Sequence, residues 1–427
     1  MRVKLLLLLF LTSPAFLDVV AQDMGRVRAF IDTLAAPGMH GRGYEFQGDK
    51  IAATYIKDRF EEFGVKSFKK GYFQKFTIDI NTFPGKLELK TNQGKLVPGK
   101  DYLVKPFSGS GKGSGRIQFL DSLIFSDMER LQAFLKQNYK RKVFVYNASH
   151  YQKMVENPLI INKIHESKAV VELEDRRLIM SMSSQQYSKP FFQVKKGVFD
   201  PESRRAKFKV EAELKKGYET QNVLGYIPGT VNPDSFVVVT AHYDHLGRMG
   251  KETFFPGAND NASGVSMLLE LAHHYSQPEN APEYTMVFMA FSAEEVGLLG
   301  SKFYTENPLF PLKRVRFLIN LDLLGTGDEG MMVVNGKVFT KEFDLLTSLN
   351  EEKELLPVIK SRGEAANSDH YFFYLKKVPC FFLYTLGGID AYHDVFDKPE
   401  TLPLTKFSEV FDLITYFIRD VKSLPID

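Results

Sequence analysis

The stretch SFVVVTAHYDH, residues 235–245, runs on through GANDNASG at 257–264 into SGVSMLLELAHHY at 263–275. The first run is β-branched and apolar, which predicts a buried strand; the last repeats apolar residues at three- and four-residue spacing, which predicts a helix. The same order recurs downstream. YTMVFMAFS (284–292) precedes LLGSKFYTEN (298–307), RVRFLINLDLL (314–324) and VPCFFLYT (378–385) read as further strands, and KFSEVFDLITYFIRDV (406–421) closes as an amphipathic helix. Strands alternating with helices imply an α/β domain around a mainly parallel sheet.

Upstream the texture changes. Between about 73 and 216, short alternating segments (KLELK, RIQFLD, KVFVYN, AVVELE, AKFKVEAEL) are separated by Gly, Lys, Ser and Asn clusters, so this region is expected to be β-rich. Its histidines, His150 and His165, stand alone and are expected at the surface. Two helical repeats, RVRAFIDTL and IAATYIKDRFEEFGV, precede it. At the start, Arg2 and Lys4 stand before an apolar run from Leu5 to Leu11, and Val19-Val20-Ala21 offers a cleavage site. That is the pattern of an export signal, and the run is much shorter than the ~20 residues that span a bilayer. The expected organisation is therefore a signal at 1–21, a helical part of the main domain at 22–80, a β-rich insertion at 81–215 and the main domain at 216–427. The place of action would be periplasmic or secreted, with no membrane span once the signal is removed.

Of the 427 residues 44% are hydrophobic and 25% charged, with formal net charge +3, which describes an ordinary globular chain rather than a disordered one. No basic block is interleaved with stacking aromatics, so nucleic acid has no support as a partner. The single cysteine, Cys380, lies in an apolar run and reads as core; it excludes an internal disulfide.

Ligand sites in open α/β sheets form beyond the carboxyl ends of the strands. At those ends stand His242, Asp244 and His245, then Glu294 and Glu295, then Asp322, and, across a Gly387-Gly388 turn, Tyr392, His393 and Asp394. Asp260 lies between the first strand and its helix, where it or Asn261 could instead cap the helix. Two imidazoles and three carboxylates on one edge of a sheet make a donor set for a pair of divalent ions.

The string AHYDHLG…PGANDNASGV…FSAEEVGLLGS…NLDLLG…SDH…YHDVFDKPETL resembles the co-catalytic di-zinc aminopeptidase family. That family includes bacterial leucyl and aminoacyl aminopeptidases and, more distantly, glutamate carboxypeptidases and glutaminyl cyclases. The resemblance runs from about Gln221 to Leu402, with a weaker echo in MHGRGYEFQGDKIAATYI at 39–56. It implies a three-layer α/β/α exopeptidase domain acting on peptides, and a protease-associated-like insertion in the β-rich region.

The resemblance also implies residue roles. His242 and Asp322 would hold one zinc, Glu295 and His393 the other, and Asp260 would bridge them; cobalt or manganese could substitute. Glu294 matches the general base. Asp244 would accept the second N–H of His242, and the Asp260–Asn261 peptide is expected to be cis. Asp369, in Ser368-Asp369-His370, and Tyr392 are candidates for lining the substrate pocket, while Asn320 and Asp394 read as structural.

Three other readings compete. A glutaminyl cyclase uses one zinc and lines its pocket with tryptophan, which this chain lacks. A carboxypeptidase or dipeptidase needs a cationic pocket, for which Arg248, Lys251 and Arg362 are available. A non-catalytic receptor-like domain would be expected to have lost ligands. There is no H-E-x-x-H helix and no G-x-S-x-G elbow.

Overall fold

The computed structural model describes residues 22–68 and 71–421; the export-signal reading at 1–21 lies outside the described residues. Among those described, no helix is long and apolar enough to cross a membrane.

The large sheet is built on four parallel strands, in the order Tyr284–Phe291, Asn232–His242, Val315–Leu321, Cys380–Thr385. Parallel strands buried on both faces should be continuously apolar rather than alternating, and YTMVFMAF and the VVVTA run fit that rule. Alternate residues serve opposite faces. Val237, Val239 and Ala241 pack with Ile31, Ile56, Leu268 and Ile414 on helices Met24–Leu34, Gly48–Glu62, Gly264–Ser276 and Phe407–Asp420. Val238, Val287 and Met289 pack with Tyr304 and Phe373 on the opposite face, under helices Leu299–Glu306 and His370–Leu375. Three layers result, as expected.

The parallel order does not reach the edges. Glu213–Ile227 pairs antiparallel with Tyr284–Phe291 and with Phe73–Thr82, and Met331–Val334 pairs antiparallel with Cys380–Thr385. The sheet is therefore mixed, with a parallel centre. The short strands Met331–Val334 and Ile359–Arg362 were not legible in the sequence, because four residues leave too little periodicity, nor was the helix Thr340–Lys353, which buries only Leu346, Leu349 and Asn350.

A second, eight-stranded sheet occupies Leu87–Val210 and mixes parallel and antiparallel pairs. It also carries helices, among them Met128–Lys136 and Pro158–Ile164, that the β-rich reading did not foresee. AKFKVEAEL, read as one strand, is divided: Arg205–Val210 ends in the smaller sheet and Glu213 begins a strand of the larger. His150 and His165 are half-buried rather than surface residues, each packed on aromatic rings (Phe125; Phe191 and Tyr187). Cys380 is fully buried, as expected of core.

One fully buried cation joins the pieces. The Arg42 guanidinium donates to five carbonyls: Tyr243 from Nε, Leu34 and Pro256 from Nη1, and Gly257 and Asp260 from Nη2, at 2.7–3.1 Å. All five of its N–H groups are used. Burial lowers its pKa to about 10, with Asp260 and Asp397 opposing that fall. Arg42→Ala leaves several buried carbonyls without donors and should cost about 3–5 kcal/mol. Denaturant unfolding of the variant beside wild type measures it, and a loss under ~1 kcal/mol would contradict a structural hub.

Candidate metal centre

The strand ends deliver their polar residues to one place. His242 is the last residue of its strand. Ala293, in a left-handed turn just after Phe291, swings Glu294 and Glu295 inward. Asp322 follows Leu321, and His393, itself left-handed at φ 51°, comes back across Gly387 and Gly388, both at φ 86°. Such angles cost a residue with a side chain energy that its surroundings must offset.

Asp260 stands at the centre. Its Oδ1 lies 3.3 Å from His242 Nε2 and its Oδ2 lies 3.0 Å from His393 Nε2, so each oxygen faces one imidazole. His242 Nε2 is also 3.4 Å from Asp322 Oδ1, and His393 Nε2 is 3.2 Å from Glu295 Oε2. The structure thus brings these five residues together, His242 near Asp322, His393 near Glu295 and Asp260 between the two imidazoles; Glu294 and His245 stand in the same cluster. The Asp260–Asn261 peptide is cis.

The loop that carries Asp260 is held from every side. Asp397, fully buried, accepts from the main-chain N–H groups of Asn259 (2.8 Å) and Asp260 (3.0 Å). Asn259 Oδ1 accepts from Gly325 N, Ser263 Oγ accepts from Leu324 N, and Asn261 Nδ2 donates to Leu321 O. These bonds lock the loop to the segment bearing Asp322. Asn261 also takes the helix-capping role, accepting from Gly264 N. A relay from Thr240 through Asn320 and Ser368 ends on Asp322 Oδ2, which gives Asn320 its structural part.

Two expectations change. Asp244 does not take the His242 Nδ1–H with its carboxylate, which stands 3.8 Å away; its main-chain carbonyl accepts that bond at 3.1 Å. The chain turns at Asp244, so the side chain points back, accepting from Tyr44 OH (2.9 Å) and Glu294 N (3.1 Å). Asp244 therefore positions Glu294. Asp369 is fully buried behind the site and does not line the cavity; Asn367 does. It heads its helix but makes no capping bond. Tyr392, by contrast, does line the cavity and stacks on His393, rings 4.0 Å apart.

Four residues were missed or left open by sequence reasoning. Arg42, Tyr44 and Asp397 lie within the resembling motifs, but most of their partners are about 140 to 220 residues away. His245 turns out to be fully buried, with Nδ1 2.8 Å from Glu295 Oε1.

Burial pushes the Glu294 carboxyl well above the usual range; Glu295 and Asp369 add to the rise against the pull of His242. Burial also works against Asp260, yet hydrogen bonds from His242 and His393 hold it well below that range. Burial alone would lower His393, but Glu295 and Asp260 raise it to about 9. The ion-pair partners of Asp260, Glu295 and Asp322 are imidazoles, and Asp322 Oδ1 has no hydrogen-bond partner despite its burial. Carboxylates withdrawn from water in this number need cationic compensation. Imidazole nitrogens and carboxylate oxygens converging at 3.0–3.4 Å fit divalent ions.

Fold and site together define an α/β protein with a metal-ligand cluster at the carboxyl edge of its parallel strands. Residues 222–418 match the model of peptidase family M28. Aminopeptidase YwaD of Bacillus subtilis is 32% identical over 186 residues, 43% of this chain and 37% of that protein. The chain spans well under two thirds of the length of the curated relatives it matches. Among solved structures, the zinc aminopeptidase BSAP from Bacillus subtilis superposes with a TM-score of 0.69 at 20% identity, covering 93% of this chain and 95% of that one. A peptidase M28 precursor from Shewanella amazonensis gives 0.71 at 15% identity, covering 95% of each. These two show a shared fold extending over both sheets.

Asp397→Ala should free the Asn259 and Asp260 amides at a cost of about 1–3 kcal/mol. Hydrogen exchange of peptides covering 257–263 is the measurement; unchanged protection would refute the clamp.

Proposed function

We propose that this protein is a zinc-dependent aminopeptidase that removes single residues from the amino end of peptides. The observation that carries the reading is the lining of the cavity at the cluster. It has a volume of about 190 Å³, and its described lining contains Glu294, Glu295, Asp260 and Asp322 but no Lys or Arg. Such a lining offers no fixed cation to hold a substrate's terminal carboxylate. A carboxypeptidase would need a cation there, and neither Arg248, Lys251 nor Arg362 is among the lining residues. Leu323, Phe382 and Tyr384 supply an apolar wall of a size for one side chain.

In this reading His242 and Asp322 would hold one zinc ion, Glu295 and His393 a second, with Asp260 shared between them. Zinc in that place supplies Lewis acidity, polarising a carbonyl and bringing the pKa of water toward ~7. The chain's own residues do the rest. Glu294 stands beside His242 and Asp322; in this reading it stays uncoordinated, so that its lone pairs serve proton transfer. Its carboxylate takes a proton from water and gives it to the departing amine nitrogen, while Asp244 and Tyr44 keep its main chain in place. The Tyr392 hydroxyl is available to donate to the oxygen that gains negative charge. Residues 81–215 are read as an insertion in the peptidase domain, and residues 1–21 as a signal that directs the chain to the periplasm or outside the cell.

Purified protein should carry close to two zinc equivalents, and a chelator should abolish hydrolysis of aminoacyl-nitroanilides. One tight equivalent would contradict the paired sites, and turnover of amino-terminally acetylated peptides would contradict the aminopeptidase reading. Glu294→Gln should retain zinc yet lower kcat by about 10²–10⁴-fold; near-normal turnover would remove it as the base.

A further inference from the structure

Residues 175–190 join two neighbouring strands of the smaller sheet, Ala169–Glu174 and Phe191–Lys195, without forming a helix or strand. Loops of this length without structure of their own are uncommon, being usually either functional or linkers. This one leaves the smaller sheet and runs along the metal cluster. Leu178 and Met180 bury their side chains beside Leu246, Phe255 and Val395, so the main chain of Met180 faces the large sheet. There it meets His393 twice: His393 Nδ1 donates to Met180 O at 3.0 Å, and Met180 N donates to His393 O at 2.9 Å. Met182 then packs against the cluster that includes Tyr44 and Ala293, the neighbour of Glu294. Ser183 O accepts from Asn81 N, anchoring the far end of the run.

We infer that this loop is a positioning element of the metal centre, with the main chain of Met180 holding His393 in its ligating state. Two effects combine. Accepting the Nδ1–H fixes the tautomer that leaves the Nε2 lone pair toward Asp260 and Glu295, and it raises the basicity of that nitrogen. Accepting the Met180 N–H ties down the carbonyl of His393, whose left-handed backbone is otherwise unfavourable. The four other residues of the cluster take their support from the large sheet and the loops beside it. The loop's two main-chain bonds fall on His393, so displacement of the loop should loosen the ion on the Glu295–His393 side more than the other. Because such coupling is reciprocal, metal binding in turn steadies the loop.

The inference rests on the two-zinc reading, and zinc titration against a competing chelator separates the two. If wild type binds no pair of zinc ions, the metal reading fails and this inference with it. If wild type binds two, Met180→Pro, which deletes the N–H, should weaken one equivalent by about 10–100-fold and spare the other. Met180→Leu, which keeps the main chain, should match wild type. Equal weakening of both equivalents, or none, overturns the inference. Should Met180→Pro not fold, hydrogen exchange on wild type decides. Zinc should slow exchange in peptides covering 178–183 and leave the helix Met128–Lys136 unchanged. No zinc-dependent protection at 178–183 overturns it.

Discussion

Carboxylates buried together repel one another and lose their hydration, and this molecule gathers Asp260, Glu294, Glu295 and Asp322 within one small cavity. Imidazoles from His242, His245 and His393 are their immediate partners. Such a cluster is tolerated only where fixed backbone prevents it from splaying apart and where cations offset its charge. The surrounding structure supplies the first condition. Arg42 and Asp397 grip the Asp260 loop from opposite sides, one through carbonyls and the other through N–H groups. The imidazoles, and the divalent ions that the donor set fits, would meet the second.

Seen this way, the two sheets have different duties. The parallel centre of the large sheet sets four strand ends at one edge, so residues far apart in the chain arrive within hydrogen-bonding range. The antiparallel flank, Glu213–Ile227 with Phe73–Thr82, carries the chain out to the smaller sheet and back. The smaller sheet returns a loop whose main chain reaches His393. A region poor in candidate catalytic side chains thereby touches the site.

Much of the site was legible because metal chemistry demands particular side chains, and strand ends are where an α/β sheet puts them. Residue type and place marked the strand-end His, Asp and Glu residues as candidates, and the resemblance to the di-zinc aminopeptidases chose His242, Asp260, Glu295, Asp322 and His393 among them. The errors fall where backbone, not side chain, makes the contact. Asp244 was assigned the imidazole bond, but its carbonyl takes it and its carboxylate turns to Tyr44 and Glu294. Asp369 looked like a pocket residue from its motif, yet the helix start that it heads carries it under the surface.

The sequence alone determined the alternation of strands and helices, through hydrophobic periodicity, and the identities of the metal-binding candidates, through their chemistry. Which carboxylate faces which imidazole, how Arg42 satisfies five carbonyls, and that Met180 reaches His393 were decided only by tertiary structure. Those bonds join groups across separations of up to about two hundred positions, several of them ending on main-chain carbonyls that every residue possesses. Nothing in a residue's name records them; they exist only once the chain has closed.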